Sequence, residues 1–471
     1  MKKAASQDST FVRKLDRLLA QLYHPTAPSL YQQVQQFYQQ GQTQHLQYLH
    51  LEQAWQQHGN TVDKNSSVKA REAYLDAQLH DERARQSRWT LLLDIAEQLL
   101  HLSEGQQTAD TLTFSARILG CLQITASSEK RQQLLMQFAY KPLYRAVLSL
   151  RLLDHLLQHQ QLSEPTVLEA YQQRQLHNPE QCPYRQHIQL PLVITILLQD
   201  MGQLHPVAMQ LLTGEHKQYD LSRSLTPVER QQFLALCQRA SQDMLKQGLG
   251  LLPVKSNKRE EREQALEQQQ HRLHWLSQML NQQIPALIGV LKVPQVYSSV
   301  VLPGRQRFNY QSLPKAALLM RDGAKRGEYS GRMVDQLLRI TGLFPQGYGV
   351  VFTPLTSENK PQQRYEFAIV NALYPSRPEQ PRCRVVSRQQ QYRNTGQDIS
   401  LDVRYNLYFK PARLHLEVLP EQRLKELLAL LYTDSEERYL RKLLPRCWQP
   451  RQFFNDPTHQ NLWQNAFLKQ N

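Results

Sequence analysis

A single carboxylate ends the most apolar segment of this chain. The stretch reads ILLQDMGQLHP, in which an apolar run leads to Gln199 and Asp200 and then to glycine, Gln203 and a His-Pro pair. A helix that ends in this way can deliver a carboxylate ligand to a divalent metal ion. The carboxamide of Gln199 is a weak ligand in comparison, because its oxygen carries no charge. Two interpretations therefore stay open, a working metal centre and the remains of one.

A second set of candidate residues lies in a basic stretch nearer the C-terminus. The segment PRCRVVSRQQQYRNTGQDISLD contains Arg384 and Arg388 four residues apart, followed by Asp398 and Ser400. Arginine side chains present planar forks of donors that suit phosphate oxygens and guanine edges. These four residues are candidates for binding a phosphorylated ligand, and the alternative is a solvated sheet surface.

The elements that must position both sets are mainly helical. Apolar residues recur at helical spacing through the first two thirds of the chain, for example Phe11, Leu15 and Leu18 on one face of the first predicted helix. After Pro345 come four short segments rich in Val, Ile, Phe and Tyr and separated by turn residues, which is typical of a small antiparallel sheet. They are GYGVVFTPL, RYEFAIVNAL, PRCRVVSRQ and ISLDVRYNLYF. We predict a mainly α fold in four parts: an N-terminal helical module (1–139), a helical domain (140–345), a small β appendage (346–420) and C-terminal helices (421–471).

The composition indicates a basic protein of a reducing compartment. The net charge is +15 with a pI near 9.5, which favours phosphate-bearing partners, but arginine and lysine are spread along the whole chain. The five cysteines are far apart and form no CxxC pair, so we expect free thiols. The N-terminus lacks an apolar core of signal-peptide length, and the longest apolar run, residues 190–198, is too short to cross a bilayer. We therefore expect a cytoplasmic protein without a membrane span.

Four segments in order carry a resemblance to a known family. They are ILLQDMGQLHP, SLTPVERQQF, ALIGVLKVPQVYSS and the run from LPKAALLMRD to GLFPQGYGVV. In order and spacing they are similar to parts of the HD-GYP domains, which are bacterial metal-dependent phosphodiesterases that cleave cyclic di-GMP on an all-helical HD scaffold. The resemblance covers roughly residues 185–405. It implies an HD-like helical domain followed by a short sheet.

The chain departs from this family at the metal ligands. Gln199 stands where the family has a His before the Asp, and Gln203 where it has a Lys after the Gly. The family's later Asp ligand is Lys292 here, and an ammonium group has no lone pair to give a metal. We predict that Gln199, Asp200, Gln203 and Lys292 mark a metal site that has lost its ligands and holds no metal cofactor. We further predict that Lys292 forms an ion pair with Asp200, its charge replacing that of the metals.

The candidates in the basic stretch also resemble a known pattern. PilZ domains bind cyclic di-GMP through Arg-x-x-x-Arg and Asp-x-Ser-x-x-Gly, which is similar to the spacing of Arg384, Arg388, Asp398 and Ser400, although Val403 stands at the closing glycine. The resemblance implies cyclic di-GMP as a ligand of the predicted sheet.

These observations predict a non-enzymatic regulator or scaffold, derived from a cyclic di-GMP phosphodiesterase, that binds a protein partner and in addition a nucleotide. One alternative is a metal-dependent phosphohydrolase in which Asp200 and relocated histidines hold Fe, Mn or Zn, the nearest in sequence being His187, His205 and His216. A second alternative is a basic nucleic-acid-associated protein. The even spread of positive charge disfavours it, because no basic patch or nucleic-acid-binding motif is present.

Overall fold

The computed structural model describes residues 7–58, 64–126, 130–216, 218–254, 256–304, 308–356, 358, 360–417, 422, 425, 426, 429 and 444–464. In these residues the protein is mainly helical and carries a small antiparallel sheet, which confirms the predicted fold class. The helices of the first part are α1 (Gln7–Leu22), α2 (Leu30–Gln36), α3 (Gln42–His58), α4 (Lys64–Ser103), α5 (Thr108–Thr125), α6 (Lys130–Gln158) and α7 (Pro165–Gln172). They are followed by α8 (Leu190–Met201), α9 (Pro206–Thr213), α10 (Pro227–Asp243), α11 (Arg259–Leu280), α12 (Pro285–Val301), α13 (Ala316–Lys325) and α14 (Gly331–Thr341).

Helix α8 is the central helix of the molecule. Almost every one of its side chains is buried, as expected for a segment that is apolar on all sides. It packs against α4, α6, α10 and α11. A π-helical turn, Arg185–Gln189, leads directly into α8, so Pro191 lies just after a local break in the regular hydrogen-bond pattern, where its missing N–H is tolerated. Asp200 therefore enters the molecule at the end of a helix that is surrounded by other helices.

Close backbone packing surrounds the end of α8. Gly202 begins a short 3₁₀ turn, Gly202–Leu204, directly after the helix. A Cβ atom at Gly202 would lie 2.0 Å from the carbonyl oxygen of Cys237 on α10. Only glycine can occupy this position without moving α10, because the atom in the way belongs to the backbone. The glycine after Asp200 thus has a packing reason of its own.

The sheet follows the helices; its first two strands are buried on both faces, whereas its last strand is partly exposed. Its four strands are antiparallel in the order β1 (Gly349–Phe352), β2 (Glu366–Val370), β3 (Arg382–Val385) and β6 (Asp398–Ser400). A two-stranded hairpin, β4 (Ser387–Arg388) and β5 (Gln391–Tyr392), lies beside it. Val350 and Ala368 are paired across β1 and β2 and pack with Phe344, whereas Val351 and Ile369 join the main helical core. This alternation is the period of two expected of a strand.

The chain leaves the sheet earlier than the sequence predicts. The last predicted strand, ISLDVRYNLYF, is wrong beyond Ser400: the chain turns at Asp402, whose carbonyl accepts hydrogen bonds from the backbone N–H groups of Tyr405 (3.0 Å) and Asn406 (3.1 Å). Helix α15 (Lys410–Glu417) follows that turn. The helices predicted between residues 420 and 448 lie largely outside the described residues.

The segment 444–464 returns to the sheet. It contains a short helix, α16 (Arg451–Phe454), and Trp448, whose backbone N–H donates to Gly349 at 3.2 Å. The indole N–H of Trp448 donates to the carbonyl of Ala368 at 3.2 Å. This segment therefore covers the sheet at the edge formed by β1.

The predicted domain boundaries stay a prediction. Helix α6 runs across the boundary placed at residue 139, and buried side chains from Phe11 to Trp463 belong to one connected apolar cluster. No helix in the described ranges is by itself long and apolar enough to cross a bilayer, and two bent helix pairs reach that length and hydropathy only when taken together.

Candidate functional site

Asp200 is held by an arginine that the sequence analysis did not select. The carboxylate is 6% exposed, and Arg145 of α6 is 2% exposed. Arg145 Nη1 donates to Asp200 Oδ1 at 3.2 Å, and Nη2 donates to the carbonyl of Ile196 at 2.5 Å. The same Oδ1 accepts a hydrogen bond from Gln203 Nε2 at 3.0 Å. One guanidinium thus neutralises the buried carboxylate and binds the backbone one turn earlier in α8.

The electrostatics of this pair are set mainly by burial. Removal from water raises the pKa of Asp200 above its ordinary value, because burial disfavours the charged form. The positive charges of Arg145 and Lys141 and the hydrogen bond from Gln203 act in the opposite direction. A guanidinium has donors but no lone pair, so it can satisfy this carboxylate and cannot serve as a metal ligand beside it.

The predicted ion pair between Lys292 and Asp200 is wrong. In the part of the chain that the structure describes, the cation within 4 Å of Asp200 is Arg145. Lys292 lies half-buried on α12, and α12 packs against α6, α13 and α14. Helix α6 packs against both α8 and α12, so Arg145 of α6 is the basic side chain that contacts Asp200. The basic side chain that pairs with Asp200 is therefore a different residue from the predicted one.

The N-terminal helices also reach this site. Tyr31 of α2 is 1% exposed, and burial together with the negative charge of Asp200 raises its pKa well above the usual value. Gln199, the residue that the family resemblance aligns with a ligand His, has a buried Oε1 atom without a hydrogen-bond partner among the described atoms. Residues from α2, α6, α8 and α10 thus lie around Asp200; the α10 residue is Cys237, whose pKa burial and the charge of Asp200 raise.

The histidines near Asp200 in sequence have other positions. His187 and His216 are exposed. His205 caps α9, where its Nδ1 accepts from the N–H of Val207 at 3.3 Å, and its ring packs edge-on against Tyr38. Among the described residues, no group of three or more His, Cys, Asp or Glu side chains is arranged to hold a metal ion. The rearranged metal site of the phosphohydrolase alternative gains no support from this geometry.

A second buried charge network lies further along α6 and was not found from the sequence. Arg151 is 2% exposed and forms ion pairs with Glu104 and, at 3.2 Å, with Asp154. Arg174 reaches the same two carboxylates at 3.3 and 3.4 Å, and the hydroxyl of Tyr184 donates to Asp154 at 2.8 Å. Burial raises the pKa of Glu104, and the charge of Arg151 partly offsets this. A signal existed in the sequence, since Arg145 and Arg151 interrupt the largely apolar stretch 143–153 of α6.

The structure divides the four candidate residues of the sheet into two pairs. Arg384 is 4% exposed and is bound to Asp398, with Nε to Oδ1 at 2.6 Å and Nη2 to Oδ2 at 3.4 Å. Its Nη2 also donates to the carbonyl of Gln464 at 2.5 Å. This pair therefore fastens the C-terminal segment to the sheet. Arg388 and Ser400 instead line a cleft beside β4 and β6.

Comparison with protein-family models, with curated proteins and with solved structures found no match to this chain. The resemblance to the HD-GYP domains therefore stays a prediction.

Proposed function

We propose that the protein is a non-enzymatic regulator or scaffold on an HD-GYP-like helical framework, and that it acts by binding a protein partner. The observation that carries the proposal is the Arg145 guanidinium on Asp200. A two-metal phosphodiesterase needs that carboxylate free to bind cations, which activate water and hold the phosphate. Here the carboxylate is buried and its Oδ1 atom already accepts two hydrogen bonds from side chains. The framework supports binding better than it supports hydrolysis.

Exposed leucines on the α3 and α4 pair supply a surface for such a partner. Leu46 and Leu49 lie three residues apart on α3 and are 46% and 37% exposed. Leu75 and Leu79 lie four residues apart on α4 and are 47% and 45% exposed. Residues three or four apart share one face of a helix, and α3 packs along α4. Apolar side chains grouped on one exposed surface are typical of protein-binding sites.

We expect the purified protein to lack hydrolytic activity towards cyclic di-GMP, with or without added Mn²⁺, Fe²⁺ or Zn²⁺, because the guanidinium of Arg145 occupies the carboxylate. The measurement is product formation by chromatography, together with the metal content of the protein as isolated. Retention of metal in stoichiometric amounts, with hydrolysis that is lost in Asp200→Asn, would contradict the proposal.

We expect the double variant Leu75→Lys with Leu79→Lys to lose the partner that the unaltered protein captures from its native cells. The two changes place charges on the α4 surface and leave the buried core in place. The matched control is Leu318→Lys with Leu319→Lys on α13, where the leucines are 59% and 57% exposed. The proposed surface is wrong if both double variants retain the partner equally, or if both lose it equally while remaining folded by circular dichroism.

A further inference from the structure

The cleft beside the sheet combines positive charge with an apolar floor. Its volume is about 710 Å³, within the roughly 300–1,000 Å³ that small-molecule sites occupy. The floor includes Leu355, Ile399 and the half-buried ring of Tyr405. The rim includes Arg388 and Arg393, both exposed and both from the hairpin region that follows β3.

The carboxylates of this cleft are already engaged. Glu366 is 3% exposed and accepts from Ser387 Oγ and from the backbone N–H of Gln389, both at 2.6 Å; Arg364 Nε lies 3.4 Å from it. Asp402 forms an ion pair with Arg404 at 2.9 Å, and hydrogen bonds from Arg404 lower the pKa of Asp402.

The two rim arginines differ from these groups. Arg388 and Arg393 form no ion pair with any residue that the structure describes within 4 Å. The rim is therefore left with two positive charges that the cleft itself does not balance.

We propose that this cleft binds a phosphorylated small molecule of about nucleotide size, with its phosphate at Arg388 and Arg393 and its apolar or aromatic part against the floor and Tyr405. Arginine is suited to the first contact because its planar fork donates two parallel hydrogen bonds to phosphate oxygens. The concave shape and the volume of the cleft favour a small molecule over a flat macromolecular surface. This site is separate from Asp200 and does not depend on the proposed absence of catalysis.

The test uses isothermal titration of the full-length protein with GMP and AMP, and with guanosine, adenosine and inorganic phosphate as partial probes. We expect at least one of the two nucleotides to bind more tightly than its nucleoside and than phosphate, since it contacts both the rim and the floor. The double variant Arg388→Gln with Arg393→Gln should weaken that binding by about ten-fold or more, the effect of losing a charge-assisted contact.

The matched control is Arg17→Gln with Arg332→Gln, which removes two exposed arginines outside the cleft and gives the same net charge. Unchanged affinity in this control assigns the effect to the cleft. The proposal is overturned if the control weakens binding as much as the cleft variant, if guanosine binds as well as GMP and adenosine as well as AMP, or if neither nucleotide binds at millimolar concentration. Melting temperatures of both double variants show that the hairpin remains folded.

Discussion

Replacing Arg145 by methionine should lower the free energy of unfolding by about 3–5 kcal/mol, the cost of leaving a buried charge without its partner. Among the side-chain hydrogen bonds that the described residues donate to Asp200, the one from Gln203 would remain, and the carbonyl of Ile196 would lose a donor. Methionine keeps much of the volume of the arginine stem, so the loss reports the charge more than a cavity. Denaturant unfolding followed by circular dichroism gives the value.

The double variant Arg145→Met with Asp200→Leu is the control for this prediction. Buried ion pairs are often replaced by apolar side chains with little loss, so the double variant should regain most of the stability. A double variant as unstable as Arg145→Met alone would contradict our account of the pair, as would a single variant with a loss below about 1 kcal/mol.

The loss of unfolding free energy in Arg145→Met should depend on pH in a defined direction. Burial already raises the pKa of Asp200, and removal of the guanidinium raises it further. An acid whose pKa is higher in the folded state than in the unfolded state costs stability as the pH rises through the folded value. The difference in unfolding free energy between Arg145→Met and the unaltered protein should therefore be larger at neutral than at mildly acidic pH.

Replacing Arg151 by methionine should also cost about 3–5 kcal/mol, because the side chain is buried between two carboxylates. Two arginines pair with Glu104 and Asp154 in the structure, and of these Arg174 would remain. The pKa of Glu104, already raised by burial, should rise further.

The control is Arg321→Met, which breaks an exposed ion pair with Asp335 at 3.2 Å. Exposed pairs of this kind contribute about 1 kcal/mol or less, so this variant should be close to the unaltered protein in stability. Equal losses in Arg151→Met and Arg321→Met would show that the buried network contributes no more than a surface pair.

Local patterns in the sequence predicted the secondary structure well where one face of an element is buried. The face with Phe11, Leu15 and Leu18 is buried in α1, and three of the four predicted strands are present as β1, β2 and β3. Such patterns predict the helix or strand in which a residue lies, and not the elements that pack against it. They failed after Ser400, where Val, Tyr and Phe suited a strand but the hydrogen bonds to Asp402 made a turn.

The sequence by itself determined the mainly helical fold, the small sheet and the single buried carboxylate at the end of α8, because periodicity and composition act over short distances along the chain. Only the tertiary structure decided which cation meets Asp200. Arg145 lies 55 residues away in sequence, and the packing of α6 between α8 and α12 favours it over Lys292. The same is true of the sheet, where contact with residues 444–464 turned Arg384 inward and left Arg388 at a cleft. Side-chain partners depend on which elements become neighbours, and that is settled by the packing of the whole chain.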